Sequence, residues 1–280
     1  MSYCLEHPSV PSSGPARRGR LIRRGDKDAL PAFALIATAV FASGAVATVS
    51  AGMSMPAMAG TPMPGGWVLG SIWTPMCGQT WAGLAREFLG MWTAMTAAMM
   101  APSVAPALWR WRQAVGRTGA PSPGRLTALV ALGYAVVWIL IGLLVFALGA
   151  ILAQAAMSWA VLARGAPLAG ALVVLGAGAL QFTAWKARRL ACCRDAACCP
   201  ATGAGGALRR GVSLGLDCGA CCAGPTAVLL AVGMMDMWAM AAVTLAISLE
   251  RLATDGMRFA RLSGGVAITL GLALVARAVI

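Results

Sequence analysis

The chain has 280 residues, of which 59% are hydrophobic and only 11% charged, and it carries a formal net charge of +13. Soluble domains hold about 25% charged residues, so the composition excludes an ordinary soluble globular protein. Its 34 glycines do not argue for disorder, because glycine is well tolerated where membrane helices approach one another.

Residues 1–29, rich in Pro, Ser, Gly and Arg, read as a disordered basic cytoplasmic tail. The one histidine, His7, falls in it as a solvated residue. A bilayer-spanning helix needs about 20 largely apolar residues. Seven stretches qualify: 30–50, 86–108, 127–153, 168–185, 212–232, 234–250 and 264–280. The first is expected to be an uncleaved anchor, since its run is long for a signal peptide and a tail precedes it. The fifth and sixth almost meet at Gly233-Met234, which predicts a tight helical hairpin. The expected fold is therefore all-α: a polytopic transmembrane bundle of six to seven spans over residues 30–280.

The basic residues sort by side. Of the 22 Lys and Arg, 19 fall before the first span or in the loops after the second, fourth and sixth. Only Arg86, Arg164 and Arg277 are left for the other face. Cytoplasmic loops collect Lys and Arg, so the N-terminus is expected inside a bacterial inner membrane and the C-terminus outside. Nucleic acid is excluded as a partner, because the charges are scattered over four juxtamembrane segments without interleaved aromatics.

The second span carries a methionine stripe, Met91, Met95 and Met99, one turn apart and followed by Met100 and Pro102. Thioethers are soft ligands that select Cu(I), but methionine also fills gaps in apolar cores. By itself the stripe reads first as packing. The outward loop before it holds Met53, Met55, Met58 and Met63, with Met76 and Cys77 further on. Copper capture and a bland linker are equal readings there.

The densest constellation is in the fifth span, from Asp217-Cys218 to Cys221-Cys222 and Pro225. At i, i+3 and i+4, the three thiols share one helix face. Pro225 lacks an N–H, which frees the carbonyl of Cys221. Three sulfurs, a free carbonyl and Asp217 make a soft-metal site, whereas cysteine packing alone is the bland alternative. Gly211, Gly215 and Gly219 form a small-residue stripe inviting close helix approach. Between the fourth and fifth spans lie Cys192-Cys193 and Cys198-Cys199 among arginines, a setting that favours metal handling or thiol reactivity. Five of the nine cysteines, Cys192, Cys193, Cys218, Cys221 and Cys222, lie in or near membrane segments on the reducing side, so structural disulfides are not expected. Ionisable groups near the spans are Glu87, Lys186, Asp217, Asp236 and Glu250. For Asp236, Glu250 and Lys186, simple snorkelling to the interface is the expected role.

These residues resemble a known family. Trp92-x-x-Met95-x-x-Ala98-Met99-Met100-x-Pro102 is similar to the first signature block of bacterial predicted metal-binding integral membrane proteins. Gln181-x-Thr183-x-x-Lys186 with Cys193-Arg194 resembles its second block, and Cys218-x-x-Cys221-Cys222 with Gly233-Met234 and Trp238 its third. Glu250 falls where the family has an acid, and Arg251 stands where it often has lysine. The resemblance covers about residues 86–255 and implies metal binding inside a helical bundle, with copper the candidate and no established activity.

The leading expectation is a non-enzymatic membrane protein that binds and relays a soft metal, Cu(I) before zinc or another soft ion. The ligand candidates are Met91, Met95, Met99, Cys193, Asp217, Cys218, Cys221 and Cys222. Its partners would be the lipid bilayer and a metallochaperone or metalloenzyme. Two rivals stand beside it: a membrane thiol–disulfide oxidoreductase using Cys218 and Cys221, and a membrane assembly or scaffold subunit.

Overall fold

The computed structural model describes residues 24–54, 60–75, 78–120, 122–194, 203–234 and 236–279. His7, Met55, Met58, Met76, Cys77, Cys198 and Cys199, and the side chains of Met53 and Cys192, lie outside the described residues.

Helix dominates, as the composition demands. The order is α1 (Arg24–Ser54), α2 (Trp81–Arg117), α3 (Pro123–Ser158), α4 (Ala160–Leu180), α5 (Ala184–Arg194), α6 (Ala204–Val232), α7 (Met237–Leu252) and α8 (Gly256–Val279). A two-stranded antiparallel hairpin, β1 (Thr61–Met63) and β2 (Trp67–Leu69), separates α1 from α2, with Thr61 opposite Leu69. Among the described residues, six helices are long and apolar enough to cross a membrane: α1, α2, α3, α4, α6 and α8. α7, expected as a span, has 16 residues, about 24 Å at 1.5 Å per residue against a hydrocarbon core of about 30 Å. α5 is a short helix that the hydropathy pattern did not call for, because Lys186, Arg188, Arg189 and Arg194 interrupt its eleven residues.

The outer surface of the bundle is apolar. On α3, Leu140, Leu144, Ile151 and Leu152 all face outward and exposed. An apolar surface of that extent is at home against lipid rather than water. The helices meet instead through glycine. A Cβ on Gly133 of α3 would stand 2.6 Å from the Leu208 carbonyl oxygen of α6, and one on Gly215 would stand 2.8 Å from the Val137 Cβ. Gly211 lies against the Val130 backbone and Gly219 against Ile141, so the expected small-residue stripe is the face of α6 that seats on α3. Gly178 of α4 and Gly264 of α8 make a matching contact, where a Cβ on either would come within 2.9 Å of the other's carbonyl oxygen.

Local chemistry sets the helix ends that matter for the site. Thr80 caps α2, its hydroxyl accepting from the Gly83 N–H at 3.1 Å. α2 then runs unbroken through Pro102 and Pro106. α6 stops at Gly233, whose φ of +133° is open to glycine but strained for other residues. Asp236 then caps α7 by accepting from the Trp238 and Ala239 N–H groups. That gives the α6–α7 hairpin expected at Gly233-Met234, and it makes Asp236 a helix cap.

The hairpin also settles Met63. It is buried with Leu69, Ala153, Ala156 and Ala163 under the Trp67 indole, which donates to the Ala163 carbonyl at 2.7 Å. Met63 is a packing residue of this cluster, not an exposed sulfur on a free loop.

Candidate metal centre

α2 supplies the thioethers. Met95, Met99 and Met100 are buried, while Met91 is partly buried against the same core. Around them stand Phe88, Trp92, Trp138 and Phe146, and the Trp92 indole donates to the Trp138 carbonyl at 2.9 Å. α6 brings Cys218 and Cys222 into this cluster. Met100 Sδ and Cys218 Sγ approach to 4.0 Å. Met234, in the α6–α7 turn, is buried in the same cluster.

The three thiols of α6 do not all face one neighbour. Cys221 packs on the far side with Leu190 and Cys193 of α5, flanked by Met257. Cys222 stands one helical turn from Cys218 and next to Cys221 in the chain, and Cys221 shares its buried cluster with Cys193. The sulfurs therefore form a chain, Cys218–Cys222–Cys221–Cys193, with Met100 at one end. All four are free and buried. Among the described residues, no three His, Cys, Asp or Glu side chains converge as a metal cage. Soft donors in this core come from thioethers and thiols together, which suits a low-coordinate soft ion better than a tetrahedral zinc cage.

Two other expected donors are engaged elsewhere. The Asp217 carboxylate pairs with Arg189 of α5 at 3.0 Å, near the rim of the bundle. The Cys221 carbonyl, freed by Pro225, accepts from Lys186 Nζ at 2.7 Å. Lys186 also pairs with Glu250 at 2.7 Å, and both are buried. Gln181 and Ser263 donate to the other Glu250 oxygen at 2.9 and 2.7 Å. Lys186 and Glu250 thus close a satisfied polar network across α4, α5, α6, α7 and α8 instead of snorkelling outward.

Sequence reasoning gave no role at Cys218 to two residues that touch it. Tyr134 of α3 places its hydroxyl 3.2 Å from the sulfur. Arg251 of α7 donates from Nη1 to the same sulfur at 3.0 Å and to Ser103 Oγ at 3.1 Å. Arg251 had counted as a loop cation, yet it is buried. A cavity of about 260 Å³ between α1, α2 and α3, walled in part by Trp92, Met100, Tyr134 and Trp138, reaches this side of the cluster.

The sequence model of the PpoB2 copper chaperone family matches residues 89–274, about two thirds of the chain. The chain belongs to that family. No curated protein and no solved structure matches it. Family membership bears out the expectation of copper handling and supplies a family where the resemblance implied only a predicted metal binder. The matched segment runs from α2 into α8 and takes in every residue of the sulfur chain, while α1 and the β hairpin lie before it.

Proposed function

We propose that this protein carries Cu(I) as cargo through a membrane-embedded helix bundle, binding it between the thioethers of α2 and the thiols of α6. The observation that carries this reading is the 4.0 Å separation of Met100 Sδ and Cys218 Sγ inside a buried cluster of further sulfurs. With metal–sulfur bonds of about 2.3 Å, two sulfurs so spaced subtend about 120° at a shared ion. That angle suits a trigonal site, and Cys222 or Met99 can supply the third sulfur. Soft thioether and thiolate donors select Cu(I), and an aromatic wall limits water around it.

Transfer is ligand exchange along the chain. The ion passes from Met95, Met99 and Met100 to Cys218 and Cys222, then to Cys221 and Cys193 near the basic helix α5. No bond in a substrate is made or broken, so the protein acts as a binder and donor rather than an enzyme. It sits in the bacterial inner membrane with the α5 end toward the cytoplasm, following the arginine asymmetry. A metallochaperone or metalloenzyme serves as its partner.

The test is metal analysis after anaerobic purification in detergent with supplied Cu(I). Wild type should retain Cu(I) in stoichiometric amount with X-ray absorption showing sulfur-only ligation. Retention no greater than that of the Cys218/Cys221/Cys222→Ser variant would sink the reading.

A further inference from the structure

Among the described residues, three ionised side chains are buried: Lys186, Glu250 and Arg251. Lys186 and Glu250 neutralise each other. Arg251, 6% exposed, has no carboxylate within ion-pair distance among those residues; its bonds go to Ser103 Oγ and Cys218 Sγ, and Nη2 has no partner. An uncompensated buried charge is costly, and such groups are ordinarily paired. The core is therefore built with one positive charge in excess, lodged against the thiol that the proposed function assigns to copper. Cys222 is buried in the same cluster, one helical turn from Cys218.

We propose that Arg251 is the counter-ion of an anionic bis-thiolate complex on Cys218 and Cys222, and that it selects monovalent soft ions, Cu(I) or Ag(I), over Zn(II). This rests on the proposed function and specifies its substrate class. The charges balance as follows. A monovalent ion displaces two thiol protons to solvent and leaves a complex of charge −1, which cancels Arg251. Zn(II) on the same two thiolates gives a neutral complex and leaves the guanidinium uncompensated. The open Nη2 donor adds a hydrogen bond to the anionic complex. Selection here comes from fixed charge, in addition to the softness of sulfur.

The experiment is anaerobic chelator competition on the full chain in detergent, run separately with Cu(I), Ag(I) and Zn(II), for wild type, R251K and R251M. Wild type and R251K should both prefer the monovalent ions, since lysine keeps the charge. R251M should lose Cu(I) and Ag(I) affinity by at least about 100-fold, the lower end of the cost of stranding one member of a buried charge pair, with Zn(II) affinity unchanged or raised. An equal Cu(I)-to-Zn(II) ratio in R251M and wild type overturns the inference, as does R251K behaving like R251M. Should R251M fail to fold, wild type decides alone: Zn(II) bound as tightly as Cu(I) overturns it. Wild type binding none of the three ions would instead remove the proposed function itself.

Discussion

The ammonium of Lys186 sits 2.7 Å from the main-chain carbonyl of Cys221, the oxygen that Pro225 leaves without a helical partner. One lysine thus repairs the break in α6 at the level of the thiols, while its charge is balanced by Glu250. Removing one partner strands the other in the core. Lys186→Met or Glu250→Gln should each destabilise the protein by about 3–5 kcal/mol, read as a lower unfolding temperature in detergent. The double Lys186→Met/Glu250→Gln variant should lose less than the sum of the singles, because neither charge is then left alone. Additive losses would show that the pair is not coupled.

The α3–α6 seam should be intolerant of side chains. Gly211 lies directly on the Val130 backbone, so Gly211→Ala must push two helices apart, at a cost of about 1–3 kcal/mol for overpacking. Gly205, on the same helix, has open space around it. Gly205→Ala should stabilise by roughly 0.5–1 kcal/mol through helix propensity. Thermal unfolding of the two variants in one detergent separates them, and similar shifts would mean that the seam is loose.

Much of this architecture is legible in the chain, and the reasons are local. Helix length, the glycine stripe of α6 and the Gly233 hairpin follow from hydropathy, spacing and conformational freedom, each readable within one segment. Lys186 and Arg251 were misread because the side to which a charge belongs depends on its tertiary neighbours. Lys186 lies near the start of the basic helix α5 and Arg251 near the end of α7, so both look like loop cations, yet partners from other helices draw them inward. The same limit applies to the thiols. Spacing puts Cys218, Cys221 and Cys222 on one face, but whether that face meets α2 or α5 is fixed by where those helices pack. The approach of Met100 to Cys218 joins residues 118 positions apart, and no local pattern encodes it.

Methionine position should matter more than methionine number. Met100 touches Cys218, whereas Met91 is only partly buried at the edge of the cluster. Met→Leu keeps volume and costs less than about 1.5 kcal/mol in stability, so metal affinity can be compared without unfolding. Met100→Leu should weaken Cu(I) binding by about 10–100-fold, the range seen even for outer-shell partners, and Met91→Leu by less. Equal effects measured by Cu(I) competition would argue against a site centred on Met100.

Cys222 and Cys193 test the order of the sulfur chain. Cys222 lies in the core with Cys218 and the methionines, while Cys193 lies beyond it on α5 with Cys221. Loss of a primary ligand lowers equilibrium affinity; loss of an exit ligand lowers the rate at which the ion leaves. Cys222→Ser should therefore lower Cu(I) affinity by about 10-fold or more, at least the effect of an outer-shell change. Cys193→Ser should leave that affinity within about 3-fold, under 1 kcal/mol, and slow Cu(I) transfer to a soluble dithiol acceptor. Stopped-flow transfer beside equilibrium competition reads both quantities from one preparation. If Cys193→Ser costs affinity and Cys222→Ser costs only rate, copper rests on the α5 side and the relay runs in the opposite order.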